Sequence, residues 1–125
     1  MTTITLDTGA LIALERRRQR IWKVLHRAHE LGIVPIVPAD VVAEWWRGRS
    51  DIREHILGSV VIEPLTDELA RLAGESLAAV RGATSVDAIV MASAAQRGDA
   101  VYTSDIDDLG RLRSFFPTVR LFEAG

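Results

Sequence analysis

The chain has 125 residues, 48% hydrophobic and 26% charged, which sets the expectation of one compact domain spanning residues 1–125. It contains no cysteine, which excludes a disulfide framework and any thiolate metal site. The formal net charge of −2 excludes a molecule that attracts nucleic acid by its overall charge, so such binding has to come from a local patch or a bound cation.

Along the chain, residues 3–6 (TITL) alternate as a short strand and end on Asp7. Residues 9–17 (GALIALERR) read as a helix, and 19–32 (QRIWKVLHRAHELG) as a second, with Ile21, Val24, Leu25, Ala28 and Leu31 on one face and Gly32 closing it. IVPIVP (33–38) is a strand punctuated by prolines, expected to be short or near an edge. ADVVAEWWRG (39–48) is helical in pattern, followed by a short helix that Ser50 opens. SVVIEPL is a strand, and Thr66 caps the helix after it. SVDAIVMASAAQRG (85–98) is a helix expected to be capped by Ser85 and closed by Gly98, apolar over most of its circumference and therefore buried. AVYT is a strand, DIDDLGRLRSFF a helical segment and TVRLF a last strand. Asp7 stands where a signal peptide needs its apolar centre, and uncharged stretches such as LGIVPIVPA are too short to span a bilayer, so a cytoplasmic protein without membrane contact is expected.

Strands separated by helices predict an α/β fold, a mainly parallel sheet with helices on both faces. In such sheets ligands sit beyond the carboxyl ends of the strands. Asp7 directly follows one strand and Asp105 follows another by one residue. Asp87 starts the buried helix at that same edge, so three acids converge. Glu44 lies on a helix between Val41, Val42, Trp45 and Trp46, which places apolar side chains on both its flanks.

Each acid also has a structural explanation. Asp87 suits a helix start through the dipole, worth ~0.3 to 1 kcal/mol. Asp105, followed by Asp107 and Asp108, fits a turn and helix start, and Glu44 a solvated helix position. Asp7 fits least well, because removing a charge from water costs several kcal/mol. Carboxylates gathered together repel, and without a lysine nearby they hold protons or a hard cation. Oxygen ligands without cysteine suit Mg²⁺ or Mn²⁺, the usual device for phosphoryl chemistry.

LDTGALIAL, VPADVVAEWWRG, SVDAIVMASAA and VYTSDIDDL, in that order, resemble the acidic motifs of the PIN domain, and in particular of VapC-type ribonuclease toxins of toxin–antitoxin pairs. The resemblance runs from residue 4 to about residue 122. It implies a three-layer α/β/α sandwich and an endoribonuclease that depends on Mg²⁺ or Mn²⁺. Asp7, Glu44, Asp87 and Asp105 match the catalytic and metal-binding acids. Thr103 matches a hydroxyl that orients them, and Asp108, beside Asp107, a trailing acid. The resemblance further implies an RNA substrate, products with a 5′ phosphate and a 3′ hydroxyl, a homodimer and a cognate antitoxin. Trp45 and Trp46 are candidates for the antitoxin groove, the dimer face or helix packing. The sequence departs from the pattern at Gly9, where many members carry a hydroxyl or amide, and at Leu109, where an aromatic is frequent.

The basic run ERRRQR, with Arg16, Arg17 and Arg18, can grip RNA phosphates or be a solvated helix end. The same alternatives hold for Arg47, Arg49 and Arg53. His26 and His29 are expected to be exposed and outside an oxygen-ligand site. A dehalogenase-type phosphatase needs a second Asp where Gly9 stands, and a phosphorylation-receiver domain needs a late lysine, whereas Lys23 is the only lysine. The rivals left are a metal-free ribonuclease, a non-catalytic acidic pocket that receives a partner's arginine, and a metal-dependent phosphohydrolase with a non-RNA substrate.

Overall fold

The structure, a computed structural model, describes residues 3–125. Five strands form one sheet in the order β3-β2-β1-β4-β5: β1 (Ile4–Leu6), β2 (Ile36–Pro38), β3 (Val61–Glu63), β4 (Ala100–Thr103) and β5 (Arg120–Glu123). Every neighbouring pair is parallel. The helices are α1 (Thr8–Glu15), α2 (Gln19–Glu30), α3 (Ala39–Trp45), α4 (Asp51–Gly58), α5 (Asp67–Ala79), α6 (Ser85–Arg97) and α7 (Ile106–Gly110), with a 3-10 turn over Arg111–Ser114.

The chain steps outward from β1 through β2 to β3, then crosses to β4 and β5 on the other side. Right-handed crossovers therefore put α1 to α4 on one face of the sheet and α5 to α7 on the other, a three-layer α/β/α sandwich. The core joins both layers to the central strands through Leu6, Leu11, Leu14, Val37, Met91 and Val101, all essentially fully buried. α6 carries an unbroken buried run from Ala88 to Ala94, because it lies across the middle of the sheet and is itself covered by α5. No helix among the described residues is long and apolar enough to cross a membrane.

Local chemistry sets most of the helix ends. Ser50, Thr66 and Thr84 accept hydrogen bonds from backbone amides of the first turns of α4, α5 and α6. The cap of α6 is thus Thr84 and not Ser85, which lies one residue inside the helix. Gly98 closes α6 at φ 71°, a left-handed position that glycine adopts without steric cost.

β2 is short, as its prolines suggest, three residues long and lying between β1 and the edge strand β3. Its prolines are tolerated because Pro35 precedes the strand, where its carbonyl accepts from the Val61 amide at 2.9 Å, and Pro38 ends it. Leu31 is 52% exposed, since it stands at the C-cap of α2 where the chain already turns away; Ile21, Leu25 and Ala28 alone of that face are fully buried.

Candidate functional site

The carboxyl edge of the sheet gathers the acids through the way helices begin there. β1 stops at Leu6, and Asp7 is the N-cap of α1, its Oδ1 accepting from the Ala10 amide at 2.9 Å. Asp105 caps α7 in the same way, with Oδ1 accepting from the Asp108 amide at 3.1 Å. Asp87 sits in the first turn of α6, its amide donating to Thr84 Oγ1 at 3.2 Å. Both loop acids therefore have a structural use that the sequence reading gave to Asp105 and not to Asp7. Capping accounts for an aspartate at position 7 but not for its burial beside other acids.

The loops after β1 and β4 are tied together. The Asp7 amide donates to the Tyr102 carbonyl at 3.3 Å, and the Ser104 hydroxyl donates to the Gly9 carbonyl at 3.1 Å. The fully buried Thr103 hydroxyl accepts from the Asp105 amide at 2.9 Å and favours the charged form of the Asp7 carboxyl, so one side chain bears on both loop acids. Glu44 is exposed despite the apolar residues beside it in sequence, because Trp45 turns into the core. Its carboxylate accepts from the hydroxyl of Thr8, the residue after Asp7.

Electrostatics shows which acids face one another. Burial pushes the Asp7 carboxyl up to about 6, the Thr103 and Ala10 hydrogen bonds oppose this, and the charges of Asp87 and Glu44 push in the same direction as burial. The Asp87 carboxyl is also raised, first by desolvation and then by Asp108, Glu44 and Asp105, against the Thr84 hydrogen bond. Asp108 is raised by its hydrogen bond to Asp105 and by that residue's charge, with Arg111 opposing at 3.7 Å. Asp7, Glu44, Asp87, Asp105 and Asp108 therefore share one mouth, and Asp107 is exposed beside it. Among the described residues, no three of these carboxylates close into a ready-made metal shell.

Other singled-out side chains lie elsewhere. Arg53 pairs with Glu15 at 2.8 Å, and Trp45 Nε1 donates to the same carboxylate at 3.1 Å, so Arg53 braces α1 against α3 and α4 and is not a free phosphate contact. Arg49 faces Glu54 at 3.7 Å on the surface. Arg47 is exposed and donates to the Trp46 carbonyl at 2.7 Å. Trp45 is buried in the core, which removes it from any groove, while Trp46 is half-buried. His26, His29 and His55 line a cavity of about 440 Å³ between α2 and α4. That cavity is bounded by the residues leading into β2 and β3, at the amino edge, away from the acids.

Sequence reasoning missed Thr8, Gly9 and Ser104 as parts of this site. The only signal was the run DTG, with a hydroxyl at residue 8 and none at residue 9.

No protein-family model matches the sequence, and no curated protein is similar to it. Solved structures do match. A chain of DNA-bound VapBC from Salmonella typhimurium superposes with a TM-score of 0.79 at 14% identity, covering 100% of both chains. The fold is PIN-like. A chain of VapBC2 from Rickettsia felis bound to a promoter DNA fragment gives 0.77 at 13% identity over 98% of both chains. A chain of FitAB bound to the IR36 DNA fragment gives 0.65 at 19% identity over 98% of this chain and 95% of that one. At such identities the fold is what is shared, and the mouth between β1 and β4 lies where the strand order reverses, the place where α/β sheets bind ligands.

Proposed function

We propose that this chain is a PIN-domain ribonuclease of the VapC type, the toxin of a toxin–antitoxin pair, hydrolysing RNA phosphodiesters with a divalent cation held by its acidic mouth. The observation that carries this reading is the gathering of Asp7, Asp87 and Glu44 around a buried carboxyl that, among the described residues, no cationic side chain neutralises.

The donor set fits Mg²⁺ or Mn²⁺. It is all oxygen, it repels itself, and Asp7 is buried with its charged form disfavoured. A closed shell is not required, since Mg²⁺ usually keeps several waters and uses one or two carboxylates. When bound, the ion supplies an activated water and neutralises charge on the phosphate.

Asp7, Asp87, Asp105 and Glu44 are the residues that would hold the cation. Thr103 holds the Asp105 amide and favours the charged form of Asp7, and Thr8 holds the Glu44 carboxylate beside Asp7. Asp108, hydrogen-bonded to Asp105, is the trailing acid in this reading. Arg47, exposed just after α3, is a candidate contact for the RNA backbone. Breaking the bond between phosphorus and the 3′ oxygen leaves a 5′ phosphate and a 3′ hydroxyl. A cognate antitoxin and a homodimeric state complete the proposal, with half-buried Trp46 as the remaining tryptophan for such a surface.

A second reading rests on the absence of a closed carboxylate shell among the described residues. An acidic mouth that only receives a partner's arginine needs none. Purified protein incubated with total RNA, with Mn²⁺ and with EDTA, separates the two. The ribonuclease reading expects metal-dependent cuts with 5′ phosphate ends, abolished in Asp7→Asn. The binding-module reading expects no cuts and unchanged cellular toxicity of that variant.

A further inference from the structure

We infer that Arg16 and Arg18 form a phosphate-binding subsite beside the acidic mouth, one that takes a backbone phosphate next to the scissile one in a single RNA strand; this rests on the ribonuclease reading above. The subsite comes from the way α1 ends. Arg16 is its C-cap, the Arg17 amide donates to the Leu14 carbonyl at 3.0 Å, and the Arg18 amide donates to the Ala13 carbonyl at 2.9 Å. That pair of bonds is the reversal usually built on a left-handed glycine. Here the left-handed residue is Arg17, at φ 59°.

The reversal brings residues 16 and 18, but not 17, to the wall of a polar cavity of about 220 Å³, whose other walls include Ile12, Ala13, Ser104 and Glu123. Ser104 ties the cavity to the mouth, since it immediately precedes Asp105 and hydrogen-bonds to Gly9. Arg16 and Arg18 are exposed, and neither makes an ion pair among the described residues, in contrast to Arg53 and Arg97, which are committed to internal carboxylates. Gly125 and Glu123 also line the cavity, yet neither guanidinium lies within ion-pair distance of a carboxylate among the described residues, so both forks are free to take an oxyanion. The flat guanidinium fork matches a phosphate oxyanion in geometry as well as charge. Such a contact holds the strand without reading its bases.

The test is fluorescence anisotropy of a labelled single-stranded oligoribonucleotide in EDTA across a salt series, followed by steady-state cleavage with Mn²⁺. Arg16→Gln/Arg18→Gln should bind about tenfold more weakly at low salt. Its slope of log affinity against log salt should be smaller by about 1.4, two contacts at about 0.7 each for a single strand. With Mn²⁺ its KM should rise while kcat is kept, and Arg17→Gln should behave as the parent. The subsite is overturned if the double variant binds like a parent that itself binds and cuts RNA, or if Arg17→Gln weakens binding as much. A parent that neither binds nor cuts RNA overturns the ribonuclease reading and the subsite with it.

Discussion

Gly9 and Ser104 approach so closely that a Cβ on residue 9 would stand 2.8 Å from the Ser104 Cβ and 2.9 Å from its backbone nitrogen. Gly9 follows Asp7 by two residues and Ser104 directly precedes Asp105, so this contact sets the separation of two acids. The Ser104 Oγ would also stand 2.9 Å from that Cβ. Gly9→Ala has to displace backbone. It should cost ~1–3 kcal/mol of stability, the usual price of overpacking, and weaken Mn²⁺ binding about tenfold. Ser104→Ala keeps the Cβ and loses one hydrogen bond, about 0.5–1.5 kcal/mol. Thermal unfolding with a parallel Mn²⁺ titration checks both, and a Gly9→Ala protein as stable and as tight as the parent contradicts the account.

Asp7 should make the metal-free protein less stable as pH rises. Its carboxyl is at about 6 in the folded state against 3.8 unfolded, so between those values the folded chain binds more protons than the unfolded one. The stabilisation from the proton is present below about 4 and lost as pH passes through 6, a change of about 3 kcal/mol. Asp7→Asn keeps a capping oxygen and removes the charge. In EDTA it should be more stable than the parent at pH 7.5 by ~1–3 kcal/mol, with the gap shrinking toward pH 4.5, while being inactive. Urea unfolding of both proteins at the two pH values reads this directly; a gap that does not change with pH contradicts it.

The polar cluster around Arg97 should matter for stability and not for the proposed chemistry. Arg97 pairs with Asp99 at 2.8 Å and with Glu63, and also donates to Thr5 at 2.8 Å and Ser93 at 2.9 Å. Asp99 is 1% exposed, and Arg97→Met removes the ion-pair partner it has among the described residues, leaving it only the hydrogen bonds from the Thr3 amide and the Thr5 hydroxyl. The expected cost is ~3–5 kcal/mol. Denaturant unfolding measures it, and cleavage per folded molecule should remain at the parent's level.

Arg17 should be replaceable with a gain. Glycine at φ 59° avoids the Cβ penalty, so Arg17→Gly should raise stability by about 1 kcal/mol with the α1 turn unchanged. A lower melting temperature would mean that the arginine side chain stabilises the turn by more than its backbone costs.

The parts of this fold that were legible in the sequence are those fixed by local chemistry. Thr66, Ser50 and Gly98 announce helix ends because a cap is a contact within one turn of chain. The alternation of strands with helices was enough for a parallel sheet, whose order followed only from the structure. The prolines marked β2 as short or near an edge, and it is short, because Pro35 falls just outside the paired segment and Pro38 at its end. The acids Asp7, Asp87 and Asp105 were legible as neighbours from the rule for sheet edges. Glu44 was placed by resemblance, since nothing local predicts the reach of its carboxylate to Thr8. Ser104, Thr8 and the pairing of Arg53 with Glu15 were not legible, because each joins residues far apart in sequence and depends on how closely the elements pack.

The central claim is that repulsion among Asp7, Glu44, Asp87 and Asp105 is relieved by a divalent ion that the protein uses to cut RNA. One experiment tests it most directly: the same protein samples are titrated with Mn²⁺ while bound ion and RNA cleavage are both recorded, for the parent and for Asp7→Asn. The account predicts that cleavage rises with site occupancy in the parent, that both are lost in the variant, and that EDTA stops the reaction. Cleavage that persists in EDTA, or a variant that binds Mn²⁺ and cuts as the parent does, would contradict it.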